Sequence, residues 1–105
     1  MPKLHFTPAA ARTLKCLERG RRPDRSRLQR VRRALDRLAA DPRHPGLRTH
    51  PYRVLPGHTT SKVWDSYVDQ GPNAWRIYWT YGPAGTGSPS GSEAVLTVLV
   101  IGPHP

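Results

Sequence analysis

The sequence predicts a small α+β domain in which a short N-terminal strand and an antiparallel helical hairpin pack on a small twisted antiparallel sheet. Apolar residues recur at helical spacing in the first half of the chain, and strand-like alternation replaces that spacing after residue 62. Breaks rich in Gly and Pro separate the segments. Because 105 residues have room for one hydrophobic core, we expect a single domain over residues 1–105.

The first elements are predicted from a helix-start signal near the N-terminus. Residues 3–6 alternate as a short strand would. Thr7 is a favourable helix cap, and Pro8 suits the first helical position, where its missing N–H would have had no partner in any case. We therefore expect a helix over residues 8–19 that stops at Gly20.

A second helix is predicted from the clearest periodic signal in the chain. Asp24 or Ser26 is expected to cap it, and Asp41 followed by Pro42 is expected to end it. About four residues separate the two helices, a length typical of an antiparallel pair. The apolar residues that recur at helical spacing are Leu28, Val31, Leu35 and Leu38.

The second half of the chain is predicted to form strands after an irregular stretch over residues 42–57, which contains four prolines. A hairpin turn is expected at 70–73, and residues 82–93, rich in Gly, Ser and Pro, are expected to form a flexible hairpin loop. The predicted strands are residues 62–68, 74–81 and 94–101.

Alternation in the strand at 74–81 divides its side chains between two faces. Trp75, Ile77, Trp79 and Tyr81 are expected to pack against the helices. The opposite face is expected to present Arg76 and Tyr78 to a ligand.

Positive charge is concentrated in the first half of the chain. The net charge is +10, and residues 1–53 contain 15 of the 17 Lys and Arg residues but only 4 acids. This asymmetry favours a partner that carries phosphates, an anionic lipid surface or an acidic protein, and the alternative is a solvated basic face without a specific partner. Of the 17 basic residues 14 are Arg, whose planar fork matches phosphate oxygens and stacks on bases, so we favour RNA.

Several classes of protein are disfavoured by composition. The single cysteine excludes an internal disulfide, and neither a signal peptide nor a stretch of about 18 apolar residues is present. We therefore expect a cytoplasmic protein that does not associate with membranes. Five scattered histidines and one cysteine do not have the spacing of a metal site, so no metal and no small-molecule cofactor are expected.

Three segments and the order of elements carry a resemblance to a known family. The segments are Lys62-Val-Trp-Asp-Ser-Tyr-Val68, Trp75-Arg-Ile-Tyr-Trp79 and Leu99-Val-Ile-Gly-Pro-His104. Together they resemble the RelE/ParE superfamily of bacterial toxins. The resemblance implies an intracellular toxin that a co-encoded acidic antitoxin holds inactive. Members of the RelE branch cut messenger RNA in the ribosomal A site, whereas members of the ParE branch inhibit DNA gyrase.

The resemblance also implies roles for individual residues. Arg76 stands where RelE-like nucleases place an arginine against the scissile phosphate, and His104 falls near the position of a residue close to the reacting phosphate. Tyr67 departs from the family pattern, because it stands where arginine is usual.

Cleavage of RNA by its own 2′-hydroxyl needs removal of that proton, stabilisation of a dianionic phosphorane and protonation of the leaving oxygen. A histidine can transfer protons at neutral pH, and an arginine can stabilise the developing charge. We therefore expect His104 as acid or base and Arg76 as the stabilising cation, with Lys62 as a second cation. The third role stays open among Asp65, His50, His58 and Tyr78. The alternative role for Arg76 is that of a structural ion-pair partner. The alternative for His104 is a frayed terminal residue without a catalytic role.

Binding of messenger and ribosomal RNA is predicted for a larger set of basic and aromatic residues. Arginines would make salt-dependent contacts with phosphates, and tyrosines would stack on bases. Three functions follow as hypotheses: a ribosome-dependent endoribonuclease toxin, a ParE-like gyrase inhibitor without chemistry, and a basic RNA-binding protein without catalysis. The predicted RNA-binding residues are Arg30, Arg33, Arg37, Arg48, His50, Tyr52, Arg53 and Tyr78.

Overall fold

The computed structural model of the chain describes residues 3–52, 63–70, 74–82 and 95–103. Within these ranges two helices and one five-stranded sheet are present, which confirms the α+β class. No helix in the described ranges combines the length and the apolarity needed to cross a membrane. The elements are β1 (Lys3–Phe6), α1 (Pro8–Glu18), α2 (Arg22–Ala40), a 3-10 turn (Pro45–Leu47), β2 (His50–Tyr52), β3 (Val63–Tyr67), β4 (Trp75–Tyr81) and β5 (Val95–Pro103).

The sheet is mixed, with the strand order β1-β5-β4-β3-β2. The three pairings among β2, β3, β4 and β5 are antiparallel, but β1 pairs with β5 in parallel. The expected all-antiparallel sheet is therefore wrong at this edge. Both helices separate β1 from the other strands along the chain, so no tight hairpin forces β1 into an antiparallel pairing.

Helix α1 begins as the sequence predicts and ends one residue earlier. The Thr7 hydroxyl accepts a hydrogen bond from the Ala10 N–H at 3.2 Å, and Pro8 occupies the first turn. The residue after the helix, Arg19, keeps right-handed helical dihedral angles. Gly20 does not form a left-handed helix end. Glycine is required there because a β-carbon would collide with the Asp24 side chain.

Helix α2 begins at Arg22, before both residues that were expected to cap it. Its cap residue, Arg21, makes no side-chain capping hydrogen bond, and proline stands in the first turn. Asp24 instead lies inside that turn, where its negative charge interacts favourably with the helix dipole. The helix ends at Ala40, directly before Asp41, as predicted.

The hydrophobic core lies between the two helices and one face of the sheet. All four periodic residues of α2 are buried, and Ile77 and Trp79 of β4 face them, which confirms the predicted helix pattern and strand alternation. Trp75 and Tyr81 are partly buried against the same core. The buried members are Ala10, Leu17, Leu28, Val31, Ala34, Leu35, Leu38, Leu47, Ile77, Trp79, Leu96, Val98 and Ile101.

Strand β2 lies in a segment that was expected to be irregular. Arg48, at φ 47°, follows the 3-10 turn and reverses the chain into β2. Pro51 is compatible with this strand because β2 is at the edge of the described sheet, where one side of the backbone needs no ladder partner. The prediction of an irregular stretch is therefore wrong over Pro45–Leu47 and His50–Tyr52.

A buried hydroxyl fixes the segment before β2 onto the sheet. The Ser66 hydroxyl on β3 accepts a hydrogen bond from Trp79 Nε1–H at 2.8 Å and is 2.6 Å from the Thr49 hydroxyl. Ser66 is fully buried. Because a buried polar group without partners is costly, this network favours one placement of Thr49 and hence of β2.

Strand β5 contains a β-bulge that the helix start stabilises. Tyr78 is opposite Val100 and Trp79 is opposite Val98, so Leu99 is the extra residue. The Leu99 carbonyl accepts a hydrogen bond from the Thr7 hydroxyl at 2.5 Å. The bulge lets Val98 and Ile101 both face the core.

Of the loop expected over residues 82–93, only Gly82 lies within the described ranges. It has φ 90°, a conformation that favours glycine, and its carbonyl accepts a hydrogen bond from the Thr97 hydroxyl at 2.7 Å. The turn expected at 70–73 is described only at Gln70.

We predict that Thr7→Val lowers the free energy of unfolding by about 1–2 kcal/mol, because it removes both the helix cap and the donor to the bulge carbonyl. Thr13→Val is the matched control, because the Thr13 hydroxyl bonds only the Ala9 carbonyl on an exposed helix face. Urea unfolding measures the difference. Equal losses for the two variants would contradict the role of Thr7.

Candidate functional site

Polar and aromatic side chains collect on the face of the sheet that points away from the helices. Cross-strand register places His50 opposite Asp65, Asp65 opposite Tyr78, and Tyr67 opposite Arg76. Alternation puts these residues on the face opposite Ile77 and Trp79. We refer to His50, Tyr52, Asp65, Tyr67, Arg76 and Tyr78 as the Asp65 cluster.

The carboxylate of Asp65 is fully buried and is the centre of the cluster. Its Oδ2 atom accepts a hydrogen bond from Arg76 Nη1 at 3.0 Å and lies 3.3 Å from His50 Nε2. Its Oδ1 atom is buried and has no hydrogen-bond partner among the described residues. One carboxylate oxygen therefore holds both basic side chains.

His50 is oriented from both sides of its ring. Nδ1 is 3.0 Å from the Arg48 carbonyl oxygen, and Nε2 faces Asp65. Both ring nitrogens therefore face oxygen acceptors. The His50 side chain is 45% exposed, so a buried carboxylate holds a histidine that solvent and ligands can reach. Proton transfer between the ring and a ligand therefore requires one of these two contacts to open.

Arg76 lies at the predicted place but is less accessible than expected. Its side chain is 13% exposed, and its guanidinium carbon lies 3.7 Å from the centroid of the Tyr67 ring. Arg76 Nε is buried and has no hydrogen-bond partner within the described ranges. The guanidinium is held between a carboxylate and an aromatic ring, because Tyr67 is its direct neighbour and Asp65 its diagonal neighbour on β3.

Tyr78 is buried, so the expectation that it faces a ligand is wrong. The Tyr52 ring packs edge-on against it with 4.9 Å between centroids, a contact that the unpredicted strand β2 makes possible. Burial raises the pKa of Tyr78 to about 12, the charges of Asp65 and Tyr52 add to this effect, and Arg76 opposes it. The Tyr78 hydroxyl has no hydrogen-bond partner among the described residues.

A second feature is a cleft between α2 and the end of β3, with a volume of about 210 Å³. We call it the basic cleft. Arg30, Arg33 and Arg37 line it together with Gly46 and Tyr67. Tyr67 therefore belongs to both the basic cleft and the Asp65 cluster.

The predicted site residues are divided among these two features and the rest of the chain. The basic cleft brings together the three arginines of α2. The Asp65 cluster brings together Asp65, Arg76, His50, Tyr52 and Tyr78. Arg48 is exposed in the turn before β2. Lys62, Arg53, His58 and His104 lie outside the described residues, so their roles stay predictions.

The sequence reasoning missed Tyr67 as a site residue and the pairing of His50 with Asp65. In the sequence Tyr67 stands out only as a departure from a family pattern. Alternation could have placed it on the face of Arg76, but the His50 pairing depends on β2, which had no clear signal. Among the described residues, no group of three or more His, Cys, Asp or Glu side chains is arranged to hold a metal ion.

No protein-family model matches the chain, and none of the curated proteins or solved structures compared with it does either. The resemblance to RelE/ParE toxins therefore stays a prediction from the sequence.

We predict that Tyr78→Phe leaves the free energy of unfolding at pH 7 unchanged or raises it, because it removes a buried hydroxyl without a described partner. Above pH 10 the wild type should lose stability relative to the variant. The unfolded phenol ionises near pH 10 and the folded one only near 12, so the unfolded state binds fewer protons over this range. Urea unfolding at pH 7 and pH 11 measures both effects. A clear loss of stability at pH 7 would contradict an unpaired hydroxyl.

Proposed function

We propose that the protein is a RelE-like toxin that binds RNA and cleaves messenger RNA on the ribosome at the Asp65 cluster. The observation that carries the proposal is the buried Asp65 carboxylate, which holds the half-exposed His50 and the guanidinium of Arg76. A proton-transfer group and a cation therefore lie side by side, as attack by a 2′-hydroxyl requires.

In this proposal His50 transfers a proton at the reacting phosphate. Asp65 does not react: it orients the imidazole by holding Nε2, and proton transfer with RNA uses Nδ1 once its contact with the Arg48 carbonyl opens. Arg76 contributes positive charge next to the phosphorane. His104 and Lys62 complete the proposed set as the second proton-transfer group and a further cation.

Affinity for RNA would come from outside the reacting centre. The three arginines of the basic cleft favour phosphates, and the excess of basic residues in the first half of the chain favours the messenger and ribosomal RNA of the A site. The same charge suits an acidic antitoxin as the second partner. No cofactor takes part in the proposed reaction.

One observation favours a second candidate, a toxin or RNA-binding protein without catalysis, such as a ParE-like gyrase inhibitor. Arg76 is 13% exposed, is paired with Asp65 and is stacked on Tyr67. A guanidinium held in this way also fits a purely structural ion pair. The two candidates differ in whether RNA is cut.

Induced expression of the wild type, His50→Ala and Arg76→Lys separates these candidates. We expect the wild type to arrest growth and to create new messenger RNA 5′ ends within codons, and we expect both variants to lose most of this cleavage. Removal of one proton-transfer group lowers a rate by roughly 10² to 10⁴-fold. Mapping of transcript 5′ ends measures cleavage directly.

His5→Ala is the matched control, because His5 is an exposed histidine on β1 outside the cluster. It should cleave as the wild type does. Arg76→Lys keeps the charge beside the buried Asp65, so a loss of cleavage by a folded variant reports on the guanidinium. Growth arrest with intact transcripts and accumulating DNA breaks would support the gyrase inhibitor and overturn the nuclease.

A further inference from the structure

Three arginines on α2 point into the basic cleft because of their spacing. Arg30, Arg33 and Arg37 are separated by three and four residues, which places them on one face of a helix. Like charges at this spacing repel each other, so the face is unfavourable without a counter-charge. A group of this kind on a cleft wall is suited to an anionic ligand.

The cleft supplies only part of the counter-charge itself. Asp69 is the only acidic residue among the described residues that line it. Its Oδ2 accepts a hydrogen bond from Arg30 Nε at 3.3 Å, and its Oδ1 accepts one from the Trp75 N–H at 2.8 Å. Arg33 and Arg37 have no carboxylate partner among the described residues, so two guanidinium groups remain in excess.

One wall of the cleft leaves space for the Arg37 guanidinium. Gly46 lies directly against Arg37, and a β-carbon at Gly46 would approach Arg37 Nη1 to 3.1 Å. The absence of a side chain therefore leaves room for the guanidinium. Tyr67 also lines the cleft, and its ring stacks on Arg76 on the outer face of the sheet.

We propose that the basic cleft binds a phosphate group of the RNA, with Arg33 and Arg37 donating to its oxygens. This inference rests on the proposed function in naming RNA as the ligand, and it adds a subsite beside the reacting centre. Tyr67 lines the cleft and also contacts Arg76 of the Asp65 cluster, so a phosphate held in the cleft lies next to that cluster.

A phosphate suits this geometry better than the carboxylate of an acidic peptide. The two oxygens of one carboxylate match a single guanidinium fork, whereas the several oxygens of a phosphate accept hydrogen bonds from two forks at once. The site therefore favours nucleic acid over acidic protein.

The test uses a fluorescent 2′-O-methyl hexauridylate, which lacks the attacking hydroxyl and cannot be cleaved. We expect the double variant Arg33→Gln/Arg37→Gln to bind it at least roughly 10-fold more weakly than the wild type, as the loss of charge-assisted hydrogen bonds implies. The slope of log affinity against log salt should fall by about 1. Arg25→Gln is the matched control, since Arg25 is an exposed arginine of α2 outside the cleft, and it should change binding less than about threefold.

Inorganic phosphate should compete with the oligonucleotide on the wild type at constant ionic strength and should lose this effect on the double variant. Binding by the double variant equal to that of Arg25→Gln would overturn the proposal. Loss of binding to a polyglutamate peptide with unchanged oligonucleotide binding would also overturn it and would assign the cleft to an acidic protein. Because the probe is not cleaved, failure of the nuclease proposal would leave these results unchanged.

Discussion

The buried negative charge of Asp65 is the constraint around which the outer face of the sheet is arranged. A carboxylate without exposure to water is strongly destabilising unless cations or donors surround it. Arg76 and His50 meet this requirement from two different strands, and both use the same oxygen atom. The pair of Arg76 with Asp65 holds the guanidinium on Tyr67. The contact of His50 with Asp65 links the edge strand β2 to β3. The side chains that stabilise the carboxylate are therefore the ones that the proposed reaction would use.

The placement of His50 depends on interactions on both faces of the sheet. On the core side, the hydrogen bonds of Ser66 with Thr49 and Trp79 fix the chain just before β2. The left-handed conformation of Arg48 then turns the chain, and the Arg48 carbonyl faces His50 Nδ1. On the outer side Asp65 holds the other ring nitrogen. The histidine is thus positioned by a network that links the hydrophobic core to the proposed reacting centre, which favours a single side-chain orientation.

The parts of the fold that the sequence predicts are those that local periodicity controls. The spacing of Leu28 to Leu38 gives α2, and the alternation in β4 assigns Ile77 and Trp79 to the core, because each pattern reports on burial of one face. The parallel pairing of β1 and the presence of β2 depend on contacts between distant segments. The prolines of residues 42–57 also make β2 hard to predict. An edge strand tolerates proline, whereas a central strand would exclude it.

The candidate site was predictable only in part for the same reason. Arg76 and Asp65 could be assigned to one sheet face from alternation alone. The burial of Tyr78 could not be predicted in this way, because it depends on packing against Tyr52 on β2, a strand that the sequence does not predict. The pairing of His50 with Asp65 could not be predicted either, since cross-strand register is decided by the assembled sheet.

The central claim is that His50, held by Asp65, transfers a proton during cleavage of RNA. The most direct measurement is the chemistry of the 3′ ends left when the purified protein acts on messenger RNA bound to ribosomes. Attack by the internal 2′-hydroxyl predicts 2′,3′-cyclic phosphate ends with the wild type and loss of these ends with His50→Gln. Intact messenger RNA, or the same ends at the same rate with His50→Gln, would contradict the claim.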